Sequence, residues 1–180
     1  MRVSDSTVES LAKVYAKSRP MVEGSDSTSD EWRTPALLAQ LLGRFGIDPC
    51  SHARSHIEAR VYCRPNHADP ALRDGLSVSW ELFDSAFLNW PFSKPLPWAQ
   101  KVAEYSKPWC VLAKLDPTTR AHATLMNAGA TCAPFKRRIK FEGDKDHPAN
   151  FPCALFYRDW APSRELVEHE RYGLWTARYA

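Results

Sequence analysis

Long hydrophobic runs are missing from this 180-residue chain. No stretch approaches the roughly 18 consecutive apolar residues of a membrane-spanning helix, so no membrane partner is expected. Met1 to Ser6 is polar and leads into no apolar segment, which argues against a secretory leader. A paired set of cysteines is missing too. Cys50, Cys63, Cys110, Cys132 and Cys153 are odd in number and scattered, and the last three sit in or beside apolar runs. That is the pattern of free thiols in a reducing cytoplasm, and it speaks against a disulfide framework. An excess of one charge is also absent: 24 basic residues against 21 acidic leave +3. Such a balance permits a nucleic-acid partner without demanding one. No internal repeat is visible.

What is present has a globular balance. Hydrophobic residues at 44% and charged residues at 25% can bury a core in one domain of this length, with room for a tail. Residues 1–29 read as a flexible arm. Val8, Leu11, Val14 and Tyr15 give it a short helix over Ser6–Lys17, and Ser25-Asp26-Ser27-Thr28-Ser29-Asp30 follows as a polar linker. The folded domain is expected over 30–162. Residues 163–180 read as a helical tail docked by Leu166, Val167 and Tyr172.

Within the domain, Thr34 reads as an N-cap and Pro35 as the first residue of a helix. Leu37, Leu38, Leu41 and Leu42 form its buried stripe and Gly43 ends it. Arg44 to Ile47 is a strand that stops on Asp48-Pro49. A short helix over His52–Ala59 and a strand over Arg60–Cys63 follow, then a loop to Arg73 and a turn at Asp74-Gly75. Pro95–Tyr105 and Pro117–Ala128 read as helices, with a buried strand over Trp109–Leu115 between them. Ala133–Phe141 and Pro152–Asp159 have no helix between them and read as an antiparallel pair. Alternating strands and helices closed by such a hairpin predict a three-layer α/β sandwich with a mostly parallel sheet. The first strand of that hairpin carries Lys136, Arg137, Arg138 and Lys140, which suit either a charged sheet edge or contact with phosphates.

The chain is organised around Asp84-Ser85-Ala86-Phe87-Leu88-Asn89-Trp90-Pro91-Phe92-Ser93. A short apolar run rises to Leu88 and breaks into Asn-Trp-Pro-Phe, a buried strand ending in a rigid loop with an amide and two aromatic rings. Ligands of open α/β sheets sit outside the carboxyl ends of strands. An amide followed by X-Pro-aromatic at that place suits a flat heterocycle, with the ring stacked and its exocyclic amine hydrogen-bonded. Cys50, His52, His56, Cys63 and His67 form a second cluster. It lacks a Cys-x-x-Cys knuckle, so no metal site is expected.

Asp30-Glu31-Trp32-Arg33-Thr34-Pro35 with its leucine helix, Phe45-Gly46-Ile47-Asp48, Asp74-Gly75-Leu76, Trp80, the Asn-x-Pro-Phe-Ser loop, Trp98 to Lys101 and Arg138-Ile139-x-Phe141 come in that order. Together they resemble the phage-type DNA N6-adenine methyltransferases, small S-adenosylmethionine-dependent enzymes, over roughly Asp30 to Asp159. The resemblance implies a Rossmann-like methyltransferase fold. It also implies duplex DNA as partner and a phage-encoded enzyme working in the cytoplasm of a bacterial host. Carried over residue by residue, Trp32, Thr34 and Pro35 would lie at the cofactor. The helix start and the Thr34 hydroxyl would face its methionine carboxylate. Asp48 would lie near its methionine and ribose end, Asp74 would partner its adenine amine, and Leu76 would be an apolar wall. Asn89 and the Trp90 carbonyl would accept the two hydrogens of the target amine, with Pro91 in the loop and Phe92 stacked on the base.

Two departures stand out. The family's loop usually reads Asn-Pro-Pro-Tyr or Asn-Pro-Pro-Phe, and here its second position is Trp90, which keeps the carbonyl but loses the ring that fixes the backbone. The Gly-rich loop of many methyltransferases is absent from Asp48-Pro49-Cys50-Ser51-His52. Rival readings are a degenerate methyltransferase fold that binds nucleic acid, or a methyltransferase acting on RNA, a modified base or a protein amide.

Overall fold

The computed structural model describes residues 32–143 and 148–176. The expected arm, with its helix over Ser6–Lys17, lies outside the described residues. Among the described residues six strands are laid down in chain order: β1 (Arg44–Asp48), β2 (Glu58–Tyr62), β3 (Ala86–Leu88), β4 (Trp109–Lys114), β5 (Thr131–Pro134) and β6 (Cys153–Arg158). The α-helices are α1 (Ala36–Leu42), α2 (Pro95–Glu104), α3 (Arg120–Asn127) and α4 (Arg164–Glu168), with short 3-10 turns at Pro70–Leu72 and Trp80–Leu82.

These strands form one sheet in the order β2-β1-β3-β4-β6-β5. The first four are mutually parallel, and β6 is antiparallel to both β4 and β5. It follows that β5 runs in the same direction as β1 to β4. The expected α/β architecture, mostly parallel and closed by an antiparallel pair, is therefore present. Successive strand residues point to opposite faces, and the two cores follow that alternation. Trp109, Val111 and Ala113 of β4 join Ala99 and Val102 of α2 and Ala121 and Leu125 of α3. Cys110 and Leu112 join Leu38, Ala39 and Leu42 of α1 and Leu166 of α4 on the other side. Helices thus cover both faces. Among the described residues no helix is long and apolar enough to cross a membrane.

Several elements differ from expectation for local reasons. Helix α1 begins at Ala36 with Pro35 as its N-cap, so Thr34 lies one residue outside it. Gly43 closes α1 at φ 81°, with its N–H on the Ala39 and Gln40 carbonyls, but Leu37 is 44% exposed and not part of the buried stripe. No helix forms over His52–Ala59. Ser55 turns back on the His52 carbonyl, its hydroxyl takes the Ile57 N–H, and buried Ile57 ties the crossover to the sheet face. Strand β2 then starts at Glu58. Helix α3 starts at Arg120 because Asp116 spends its carboxylate on the Thr118 N–H and hydroxyl, while Thr119 caps the helix by accepting from His122 N–H.

The basic run lies outside the sheet. Lys136, Arg137 and Arg138 are three consecutive exposed residues, which breaks the two-residue alternation a strand needs, and β5 ends at Pro134. The tail takes the neighbouring place. Phe135 bridges Leu174, and Trp175 N–H donates to the Pro134 carbonyl at 2.8 Å. Helix α4 covers only Arg164–Glu168, capped by Ser163. Leu166 is buried and Val167 half-buried within it, and Tyr172 and Leu174 are buried beyond it.

Candidate active site

From β1 the chain crosses to β2 on one side, and from β3 it crosses to β4 on the other. The order of strands therefore reverses between neighbours β1 and β3, and the carboxyl ends at such a reversal are where open α/β sheets form a ligand crevice. Asp48 is the last residue of β1 and Asn89 the first beyond β3. Ile47 pairs with Ala86 across the gap, and the Asn89 backbone N–H faces the Cys50 thiol. Two sequence-predicted polar residues, 41 positions apart, thus flank one crevice.

The side chain of Asn89 is oriented by the segment ahead of α1. Its amide nitrogen donates to the Trp32 carbonyl at 2.7 Å and to the Thr34 hydroxyl at 3.2 Å. A peptide oxygen only accepts, so the atom facing Trp32 has to be nitrogen. The carboxamide oxygen consequently points away from both, as a fixed acceptor. Beyond it, the indole of Trp90 is 3% exposed and packed in the core that contains α2 and α3. Pro91 is half-buried, and its carbonyl accepts from Lys94 N–H to close the turn. Among the described residues the Trp90 carbonyl accepts no backbone hydrogen bond.

Phe92 sits in an aromatic wall. Its ring meets Trp32, Phe141 and Phe151 edge to face at 5.9, 5.8 and 5.3 Å, and Trp32 stacks on Phe151 at 5.2 Å. The ammonium of Lys114, at the carboxyl end of β4, stands 5.2 Å from the centre of Phe92 and 4.3 Å from that of Phe151. Lys114 and Phe151 were not singled out from sequence. The polar residue ending a buried apolar run was the available signal for Lys114, and nothing local marks Phe151.

Asp48 is 3% exposed. Burial pushes its carboxyl up to about 7, against the opposing pull of hydrogen bonds from Ser51 and from the Cys50 N–H at 3.3 Å. Burial, reinforced by the Asp48 charge, raises the Cys50 thiol well above its ordinary range and Cys63 to about 12. Those two thiols are packing groups, not nucleophiles.

The loop bearing Asp74 and Leu76 is pressed onto the loop after β1. A Cβ on Gly75 would lie 1.7 Å from the Pro49 carbonyl oxygen, so only glycine permits this approach. Trp80 Nε1 donates to the Gly75 carbonyl at 2.8 Å, and the Lys101 ammonium donates to that of Leu76. Asp74 is exposed, and its carboxylate accepts the Leu76 N–H at 2.9 Å, which shapes its own turn. The loops carrying Asp48, Asp74 and Leu76 are therefore brought together.

The start of α1 differs from its expected role. Its first amide, Ala36 N–H, donates to Glu142 Oε1 at 3.0 Å, and Glu142 Oε2 lies 2.7 Å from His56 Nε2. Arg33 and Glu142 also pair through their backbones. The chain itself thus supplies the carboxylate at this seven-residue helix, and the Thr34 hydroxyl is turned to Asn89. With His56 on Glu142 and His67 Nδ1 accepting from Asp69 N–H, the histidines are dispersed. Among the described residues no three His, Cys, Asp or Glu side chains gather as metal ligands would.

Comparison with family models, curated proteins and solved structures finds no match.

Proposed function

We propose that this chain is an S-adenosylmethionine-dependent methyltransferase of Rossmann-like fold that acts on the N6 amine of adenine in DNA, akin to the phage-type enzymes its motifs resemble. One observation carries the reading: at the reversal of strand order, the carboxamide of Asn89 is oriented by donation of its nitrogen to the Trp32 carbonyl and the Thr34 hydroxyl, beside a buried carboxyl on the adjacent strand. The sheet layout agrees with what the resemblance implies.

An amine conjugated into a ring is a poor nucleophile because its lone pair is delocalised. Asn89 Oδ1 and the Trp90 carbonyl, accepting its two hydrogens, draw the nitrogen toward tetrahedral geometry and aim its lone pair. No strong base is required, since the proton departs after the new bond forms. Orientation of this kind supplies up to ~7–11 kcal/mol in well-arranged reactants. Phe92 would stack on the base, and the Lys114 ammonium beside it would be available to a phosphate. Extrusion of the base from a duplex costs a few kcal/mol, which the aromatic wall offsets by stacking.

When bound, S-adenosylmethionine supplies an electrophilic methyl group on a cationic sulfonium. Asp48 fits that cation, because its buried carboxyl lacks a compensating charge of its own. Asp74, Leu76 and Trp32 border the same end of the sheet. The start of α1 does not fit the cofactor's carboxylate, since Glu142 already occupies its first amide.

Product identification is the test. The protein is incubated with labelled S-adenosylmethionine and unmethylated DNA, and the DNA is digested to nucleosides. Label in N6-methyladenine is expected. Label in another base would reassign the substrate, and label found instead in parallel incubations with RNA or with protein would move the acceptor to a nucleoside of RNA or to a protein amide. The same Glu142 contact favours one rival, a fold that binds nucleic acid without using the cofactor. Titration calorimetry with S-adenosylmethionine separates the two, since that rival gives no binding heat.

A further inference from the structure

We infer that Thr34 is a positioning residue for the amine acceptor and not a ligand of the cofactor. The inference rests on the methyl-transfer reading of Asn89 and adds a residue to that site. Thr34 is 4% exposed, one residue before the Pro35 cap of α1. Its hydroxyl oxygen lies 3.2 Å from Asn89 Nδ2, while the Trp32 carbonyl lies 2.7 Å from the same nitrogen.

The primary amide has two hydrogens, and these two acceptors use both. Their combined effect is geometric and electronic. Rotation about the last side-chain bond would place an amide oxygen against the Trp32 carbonyl, two acceptors facing each other, so the oxygen stays turned away from Trp32. Donation of both hydrogens also polarises the amide and strengthens that oxygen as an acceptor. Trp32 contributes through its backbone, which a side-chain substitution leaves in place. Thr34 contributes through a hydroxyl that can be removed without changing shape.

Thr34→Val keeps the branched outline and deletes the acceptor, and Thr34→Ser keeps the acceptor. In steady-state methylation of DNA, Thr34→Val is expected to lower kcat roughly tenfold, the worth of one hydrogen bond. KM for S-adenosylmethionine and for DNA should stay unchanged, and Thr34→Ser should restore most of kcat. An unchanged kcat in Thr34→Val, or a raised cofactor KM with kcat preserved, would overturn the assignment. A second measurement needs neither turnover nor a variant's folding. In the parent protein without ligands, both side-chain amide hydrogens of Asn89 should exchange slowly with solvent by NMR, and free exchange of either contradicts the lock. Methylation absent from the parent would count against the activity, whereas fast amide exchange would count against Thr34, so the two failures are distinguishable.

Discussion

At residue 48 the fold buries a carboxyl that the unfolded chain would ionise near pH 4. The folded protein keeps that proton to about pH 7, so over this window the unfolded state binds fewer protons and stability falls as pH rises. Above pH 7 the penalty is complete, and below pH 4 it disappears. Replacing the carboxyl by an isosteric neutral amide removes it. Urea unfolding at pH 5 and pH 8 should show the parent losing stability relative to Asp48→Asn across the interval, by about 2–3 kcal/mol, because part of the penalty is already present at pH 5. Equal pH dependence in the two proteins would contradict a buried proton at this position. Asp48 and Asn89 were both legible in the sequence because each is a polar residue that stops a buried apolar run. The direction of the Asn89 amide was not, because it is fixed by Trp32 and Thr34, more than 50 positions earlier.

Among the elements, α2 and β4 were readable from sequence. Each is one continuous segment whose apolar pattern and flanking prolines suffice to define it. Helix α1 was readable in extent, but its capping carboxylate comes from Glu142, 106 residues away. The run from Phe135 to Phe141 resembled a strand in composition, yet the tail pairs with its start and three exposed cations break its alternation. The contact between the loops after β1 and before β3 was likewise invisible until the fold was known, and it yields a prediction. The Cβ of Gly75→Ala would collide with the Pro49 backbone, which no rotamer change relieves. Destabilisation of about 2–4 kcal/mol is expected by chemical denaturation, with loss of cofactor binding in calorimetry. A variant with parental stability would mean that the two loops are not held together.

For the whole molecule, the directions of the strands decide which surfaces act together. Because β5 runs with β1 to β4, the segment that follows it emerges at the same end of the sheet as Asp48, Asn89 and Lys114. Its exposed Lys136, Arg137 and Arg138 follow β5 at that end, and under the proposed methyl-transfer reading they are candidates for contact with phosphates. A net charge of only +3 did not single out this surface, since composition averages over all faces. The double substitution Arg137→Ala with Arg138→Ala should weaken DNA binding about equally for unrelated sequences. It should also reduce the slope of log affinity against log salt by up to about 2. An unaltered slope would place the phosphates elsewhere. The most direct measurement of the central claim is single-turnover methyl transfer by the parent and by Asn89→Ala, with labelled S-adenosylmethionine and unmethylated DNA. The account predicts label in N6-methyladenine from the parent and a rate lower by on the order of 10²-fold or more in the variant, with cofactor binding retained. Equal rates in the two proteins would contradict it.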